Sequence, residues 1–375
     1  MLAWTRSRLL LFRVDAGGLI PSKPGLTWDE VLKELKQYRK LSLWWLLAGL
    51  ALFVYLIYKT GVGNVIAGVQ LFGAGFLLLL IISGVRHVLR TVAWYYSIEQ
   101  KHRRVSFVDL FKMRLIGEAI SDLTFAGPVL GETAKTLAAS TRMPLTFSLS
   151  SVVIENLIYG LAVIAFVVSG VLVLLWRIAL PQHLRIASIV GGLALLVPVL
   201  VVYLLVSRRW LAITALLNWV KRTNRNWTFL TRREQRLRLF EENVYGFYGR
   251  HRRLFWGITV LEILANLTGV FEAYLILGKT WGYYSWLMGY LLEWANRVVN
   301  LAFAFVPLRV GVDEGSTALT MDGLGYDPAT GVTLAVIRKI RTLFWVGVGL
   351  IITAQYSFAP DLRASGLSAG EDPME

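Results

Sequence analysis

The sequence contains no cysteine and only four histidines. The lack of cysteine excludes disulfides and thiolate metal sites, and the histidines are scattered without metal-ligand spacing. Charged residues are also scarce, at 17% of the 375 residues, whereas a soluble globular protein has about 25%. We therefore expect no metal, no cofactor and no catalytic residues, and a protein that is not soluble.

Long apolar windows take the place of the missing charge, and hydrophobic residues make up 56% of the chain. A helix needs about 20 apolar residues to cross roughly 30 Å of bilayer hydrocarbon. Six windows of this kind are Leu41–Tyr58, Val65–Val85, Thr146–Trp176, Ile186–Val206, Leu254–Gly278 and Val332–Phe358. They predict an all-α polytopic membrane protein with about six transmembrane helices.

The formal charge of +15 comes mainly from three basic segments, 1–42, 86–114 and 207–253. Cytoplasmic loops of membrane proteins are enriched in lysine and arginine, so this charge indicates orientation and not nucleic-acid binding. We therefore interpret the three segments as cytoplasmic, with the N-terminus inside the cell.

The windows and basic segments divide the chain into five parts: a cytoplasmic arm at 1–40, a first membrane repeat at 41–206, a basic connector at 207–253, a second membrane repeat at 254–358 and a tail at 359–375. In the arm, Thr27–Glu30 has the pattern of a capping box, and apolar residues then recur at helical spacing. This pattern predicts an amphipathic helix on the inner leaflet surface.

Two segments, 107–143 and 285–326, are apolar helix patterns that proline and glycine interrupt. Non-helical backbone at membrane depth is tolerated only where it is buried in protein or lines a watery cavity. We therefore predict that each segment is a re-entrant helical hairpin. The alternative, in which both hairpins cross the membrane fully, changes the number of crossings.

The two hairpins have similar spacing. Glu118 precedes Pro128 by ten residues, and Arg297 precedes Pro307 by ten. The predicted topology enters the first hairpin from the cytoplasm and the second from outside. Equivalent units of opposite orientation form an inverted repeat, as in many secondary transporters.

Charged residues within or beside the apolar segments cost about 2.5–3.5 kcal/mol each at the bilayer centre, so they should face inward. One interpretation is a structural network in which Glu118 or Glu155 compensates Arg297 or Arg338. The set as a whole favours a polar cavity that admits a lipid headgroup. The candidate binding residues are Glu118, Asp122, Pro128, Gly131, Glu132, Glu155, Arg297, Pro307, Gly311, Asp313, Glu314 and Arg338.

Short motifs in both halves carry a resemblance to a known family. They are Gly117-Glu118 and Pro-x-x-Gly-Glu ahead of Val152–Glu155, then Pro-x-x-x-Gly-x-x-Glu ahead of Ile337-Arg338. Their order resembles the lysylphosphatidylglycerol synthase transmembrane region, or flippase-like family, over about residues 41–357. The resemblance implies a multi-pass protein of a prokaryotic cytoplasmic membrane that moves polar-headgroup lipids between leaflets. Relatives include a hopanoid-associated branch.

Two departures from the family limit what the resemblance implies. The family's first-half glutamate is commonly followed by arginine, whereas Asn156 follows Glu155 here. Bifunctional relatives carry a soluble aminoacyl-transferase domain after the membrane part, and we expect none in the short segment after residue 358. Aminoacylated phosphatidylglycerol is therefore only one candidate substrate.

Three hypotheses follow for the function. The first is a lipid flippase that is not an enzyme, whose partners are membrane lipids. The second is a non-catalytic membrane partner of lipid-biosynthesis enzymes. The third is an intramembrane enzyme that uses paired carboxylates as acid and base, which the absence of cysteine and of any histidine beside a carboxylate weakens.

Overall fold

The computed structural model of the chain describes residues 12–15, 18–21, 54, 55, 58, 62–103, 105–125, 127–177, 242, 244 and 246–357. The strands β1 (Phe12–Asp15) and β2 (Gly18–Pro21) pair as a short antiparallel hairpin. The predicted amphipathic helix of the arm, the window Ile186–Val206 and the tail lie outside the described residues. So do most of Leu41–Tyr58 and most of the basic connector.

Helices joined by short turns make up the rest of the described structure, which confirms the predicted all-α class. The helices are α1 (Val62–Phe72), α2 (Gly75–Ser97), α3 (Phe107–Leu123), α4 (Gly127–Ser140), α5 (Leu145–Arg177), α6 (Arg252–Trp281), α7 (Trp286–Ala302), α8 (Val312–Gly323) and α9 (Pro328–Ser357). The 3₁₀ turn Gln100–His102 lies between α2 and α3, and the 3₁₀ turn Pro307–Arg309 lies between α7 and α8.

Three of the described helices, α2, α5 and α6, are long and apolar enough to cross a membrane. Helix α9 has 30 residues, as many as α6, and differs by carrying Arg338, Lys339 and Arg341 in its sequence. At 1.5 Å per residue, 30 residues extend about 45 Å, which exceeds the thickness of the hydrocarbon. These helices confirm a polytopic membrane protein.

The ends of several helices follow from local sequence. The Ser285 hydroxyl accepts a hydrogen bond from the Met288 N–H at the start of α7. Helix α6 ends at Trp281, and the next residue, Gly282, has a φ of 76°, the left-handed conformation that glycine adopts without strain. At the start of α9, the Asp327 carboxylate accepts from the Ala329 N–H at 2.9 Å.

The predicted window Val65–Val85 is wrong in its boundaries. Helix α1 ends at Phe72, Gly73 has a left-handed φ of 40°, and α2 then continues past Val85 to Ser97. Residues 86–97 are therefore helical and not part of a cytoplasmic loop. Leu79 is fully buried in a cluster with Ile276 of α6, so α2 packs into the protein core.

Helices α2–α5 and α6–α9 form two units with the same order of elements. In each, a long helix is followed by two short helices and a second long helix. Helices α3 and α7 both have 17 residues, and α4 and α8 have 14 and 12. The packing between the units is reciprocal. Helix α3 contacts α9, and its counterpart α7 contacts α5. Helix α2 contacts α9, its counterpart α6 contacts α5, and α2 and α6 contact each other.

The helix breaks fall inside both predicted hairpins, between α3 and α4 and between α7 and α8. In the first hairpin the two arms approach each other at glycines. A Cβ atom added to Gly131 would lie 2.5 Å from the Gly117 carbonyl oxygen, and one added to Gly117 would lie 2.9 Å from the Gly131 oxygen. Only glycine permits this close approach of two backbones.

We expect Gly131→Ala to destabilise the protein by about 1–3 kcal/mol, because the added methyl group would force the arms apart. Thermal unfolding in detergent measures the effect. Gly257→Ala is the control, since a Cβ at this position in α6 meets no described atom within 4 Å. Alanine there should leave stability unchanged or raise it by up to about 1 kcal/mol. Equal unfolding temperatures for both variants would contradict the close approach.

Candidate functional site

A cavity of about 620 Å³ lies between the two units, within the range of about 300–1,000 Å³ that is typical of ligand sites. Its wall includes residues of both hairpins and of the long helices, and most of its polar side chains are ionisable. The cationic ones are Arg86, Arg90, Arg114, Lys135, Arg297, Arg309, Arg338, Lys339 and Arg341. The acidic ones are Glu118, Asp122, Glu132, Glu272, Glu293 and Asp313.

The tips of the two hairpins meet beside this cavity. The rings of Phe125 and Phe305 have centroids 5.8 Å apart, and Arg309 Nη1 lies 3.9 Å from Asp122 Oδ1. In each pair, one residue belongs to the first hairpin and the other to the second. The two interruptions of helical backbone that the sequence predicted therefore lie next to each other in the fold.

A buried carboxylate, Glu155 of α5, organises the charges of the first unit. It is fully buried, and its oxygens lie 2.5 Å from Lys135 Nζ, 3.2 Å from Arg114 Nη1 and 3.2 Å from Arg90 Nη2. These cations come from α4, α3 and α2. Three cations around one carboxylate leave an excess of positive charge. Glu118 compensates part of this excess, because Arg114 Nε also donates to it at 3.0 Å. One side chain thus links four helices.

A histidine also contacts the charged residues around Glu155. His87 Nδ1 lies 2.9 Å from Glu118 Oε2, and the His87 ring meets Trp345 edge to face at 4.6 Å between centroids. The expectation that no histidine lies beside a carboxylate is therefore wrong, because packing of α2 on α3 joins residues distant in sequence. Among the residues that the structure describes, no group of three or more histidine and acidic side chains could hold a metal ion.

The second unit has its own buried carboxylate, Glu293 of α7. Its two oxygens lie 2.9 Å from Arg297 Nη2 and 2.9 Å from Arg338 Nη2. Arg338 Nη2 also donates to the Gly269 carbonyl of α6 at 2.6 Å. Nearby, Arg341 of α9 forms an ion pair with Glu272 of α6. Helices α6, α7 and α9 are linked in this way.

The break in the second hairpin has a strained backbone. Leu308 and Arg309 have left-handed φ angles of 50° and 47°, which non-glycine residues rarely adopt. Lys339 of α9 holds the segment, since its Nζ donates to the Leu308 carbonyl at 2.6 Å and lies 3.1 Å from Asp313 Oδ2. Such strain commonly occurs at functional sites.

Glu314 has a structural role at the same break. Its Oε2 accepts the Gly311 backbone N–H at 2.7 Å, which caps the start of α8. Its Oε1 lies 3.4 Å from Lys339 Nζ, and the side chain is fully buried. Glu314 therefore supports the cavity wall and does not line it.

The structure divides the predicted site residues into two groups. Those that line the cavity are Glu118, Asp122, Pro128, Glu132, Arg297, Asp313 and Arg338. Those not among the lining residues are Gly131, Glu155, Pro307, Gly311 and Glu314. The hypothesis that Glu118 or Glu155 compensates Arg297 or Arg338 is wrong. Glu118 and Glu155 pair with cations of their own unit, and both arginines pair with Glu293.

Sequence reasoning missed several lining residues, among them Arg86, Arg90 and Arg341. Arg86 and Arg90 were assigned to a cytoplasmic loop, although their four-residue spacing is helical and would place both on one face of α2. Helical periodicity within a basic segment was therefore the signal that could have found them.

Comparison with known proteins gives one match. A family model described as "Lysylphosphatidylglycerol synthase TM region" matches residues 41–350, which is well over half of the chain. No curated protein and no solved structure matches this chain.

We expect Glu155→Gln to destabilise the protein by about 3–5 kcal/mol, because it leaves buried cations without their shared carboxylate. Asp109→Asn is the matched control, since Asp109 pairs at 3.6 Å with Arg142, whose side chain is half exposed. An exposed pair contributes about 0–1 kcal/mol. Thermal unfolding in detergent compares the variants. A Glu155→Gln effect no larger than that of Asp109→Asn would show that the cluster is not a stabilising centre.

Proposed function

The chain belongs to the lysylphosphatidylglycerol synthase transmembrane-region family, and we propose that it moves lipids with a polar headgroup between the leaflets of a prokaryotic cytoplasmic membrane. The observation that carries this proposal is the charged cavity of about 620 Å³ between two units of a membrane-spanning helical protein. The proposed activity contains no covalent step, and membrane lipids are its substrates.

The main barrier to lipid transfer is the passage of a polar headgroup through hydrocarbon, and the cavity would lower this barrier. Polar groups moved into an apolar medium lose their hydration and need replacement partners. Arginine, lysine and carboxylate side chains on the wall supply such partners. Leu301 lines the cavity and is itself half exposed, so an apolar part of the wall continues to the outer surface. Acyl chains would remain in the bilayer along this side.

The hairpin lengths favour re-entrant segments over full crossings. Arms of 17 and 14 residues in the first hairpin extend about 26 and 21 Å, and arms of 17 and 12 residues in the second extend about 26 and 18 Å. Both are shorter than the roughly 30 Å of hydrocarbon. We therefore propose that each hairpin enters the membrane, turns at its proline-glycine break and leaves on the side from which it came.

Reciprocal packing of α2–α5 and α6–α9 supports an inverted repeat. If each hairpin returns to its own side, α2 and α5 cross in opposite directions. A single crossing at Ile186–Val206 would then start α6 on the side of the membrane opposite to the start of α2. Units related in this way can expose a site between them to either face in turn. The N-terminus would be cytoplasmic.

We expect a bulky side chain in the cavity to block transfer without unfolding the protein. Gly160 lines the cavity, and a Cβ built there meets no described atom within 4 Å. Gly160→Trp should lower the rate of lipid transfer about tenfold or more, equivalent to about 1.4 kcal/mol in barrier height. The measurement is dithionite quenching of fluorescent phosphatidylglycerol in proteoliposomes.

Gly257→Trp is the matched control, because Gly257 also has free space but lies outside the set of cavity-lining residues. It should transfer lipid at the wild-type rate. Wild-type protein that is no faster than empty vesicles would contradict the proposed function. Equal rates for the two tryptophan variants would contradict the assignment of the route to this cavity.

A further inference from the structure

The charged side chains in and behind the cavity wall are distributed unevenly. Nine lysine and arginine residues line it, against six aspartates and glutamates. Three further carboxylates, Glu155, Glu262 and Glu314, are fully buried and absent from the lining, and each lies within 4.0 Å of a lining cation. The nine carboxylates together balance the nine cations, but the surface that faces the cavity carries more cations than carboxylates.

One of the nine cations differs from the rest in its surroundings. Eight of them lie within 4.0 Å of a carboxylate oxygen. Arg86 of α2 has no such ion pair with any residue that the structure describes. The charges that act on Arg86 include those of Arg297, Arg341 and Glu272.

Both of these arginines line the cavity and already have partners. Arg297 pairs with Glu293, as does Arg338, and Arg341 pairs with Glu272. With Arg86, four guanidinium groups of the cavity wall therefore share two carboxylates. Like charges repel strongly where water is scarce, so this arrangement favours the arrival of one further negative charge.

Unused hydrogen-bonding groups occur on the same wall. Arg297 Nε, Arg338 Nη1 and Asn300 Oδ1 are buried atoms of lining residues without a hydrogen-bond partner among the described residues. Buried polar groups are normally satisfied, so each of these atoms calls for a partner that the described residues do not supply: an acceptor for the two arginine nitrogens and a donor for the Asn300 oxygen.

We propose that Arg86 binds the phosphate group of an anionic phospholipid headgroup, with Arg297 and Arg341 beside it. This inference rests on the proposed function and names the substrate class of the same cavity. A guanidinium group can donate two parallel hydrogen bonds to phosphate oxygens and carries a permanent charge. An anionic phosphodiester supplies the missing negative charge, whereas an uncharged headgroup supplies none.

The test uses the purified full-length chain in non-ionic detergent. Fluorescent phosphatidylglycerol is the probe, fluorescent diacylglycerol is the lipid without phosphate, and inorganic phosphate is the soluble competitor. We expect the wild type to bind phosphatidylglycerol more tightly than diacylglycerol, and Arg86→Gln to weaken phosphatidylglycerol binding about tenfold or more. Arg86→Lys should retain part of the affinity, because it keeps the charge and loses the two-pronged geometry.

Arg142→Gln is the matched control, since Arg142 is a half-exposed arginine that pairs with Asp109 away from the cavity. It should bind like the wild type. Arg86→Gln removes no ion pair among the described residues, so lipid-free variant protein should unfold at or above the wild-type temperature. Phosphatidylglycerol should raise the unfolding temperature of the wild type and much less that of Arg86→Gln.

The outcomes separate this inference from the proposed function. Equal affinity of wild type and Arg86→Gln for phosphatidylglycerol overturns the inference, even if the wild type transfers lipid. Binding that depends on Arg86, in a wild type that transfers no lipid, upholds the inference and contradicts the proposed function. Inorganic phosphate that binds as tightly as the lipid overturns the assignment to a headgroup.

Discussion

The cost of a charge in a low-dielectric interior is the constraint on which the rest of this structure depends. An ionised side chain without a partner destabilises the fold there, and a pair offsets that cost only with close geometry. Glu155 meets this requirement for Arg90, Arg114 and Lys135, which come from three different helices. A single buried carboxylate therefore fixes how α2, α3, α4 and α5 pack.

The second unit neutralises its buried charges with different residues. Glu293 takes the central place and pairs with Arg297 and Arg338, while Lys339 holds the break of the second hairpin. Each unit is neutralised mainly from within, which leaves the space between the units free to form a cavity. A structural network and a binding cavity are thus not alternatives here. In the proposed function, Glu155 and Glu314 behind the wall stabilise the fold, while Arg86 on the wall is left for a headgroup.

The hairpin breaks connect this electrostatic arrangement to the proposed motion of a lipid. Both breaks lie beside the cavity and contact each other through Phe125 and Phe305. Their backbones depend on glycine at close contacts and on left-handed residues held by Lys339. In the proposed function, two units that pack reciprocally around one polar space, with their irregular segments beside it, would be the parts that alternating access moves.

The sequence by itself determined the membrane class, the helical content and the positions of the breaks. Apolar length, proline and glycine act over a few residues, so a linear pattern is enough to predict them. It placed Arg86 and Arg90 in a loop, because a charge that ends an apolar run has the same pattern whether it faces cytoplasm or a buried cavity. Their four-residue spacing fits a helix, but it took tertiary packing to decide that α2 continues through them into the cavity wall. Packing also decided which carboxylate pairs with which cation, since ion pairs form between residues that the fold brings within 4 Å, whatever their separation in sequence.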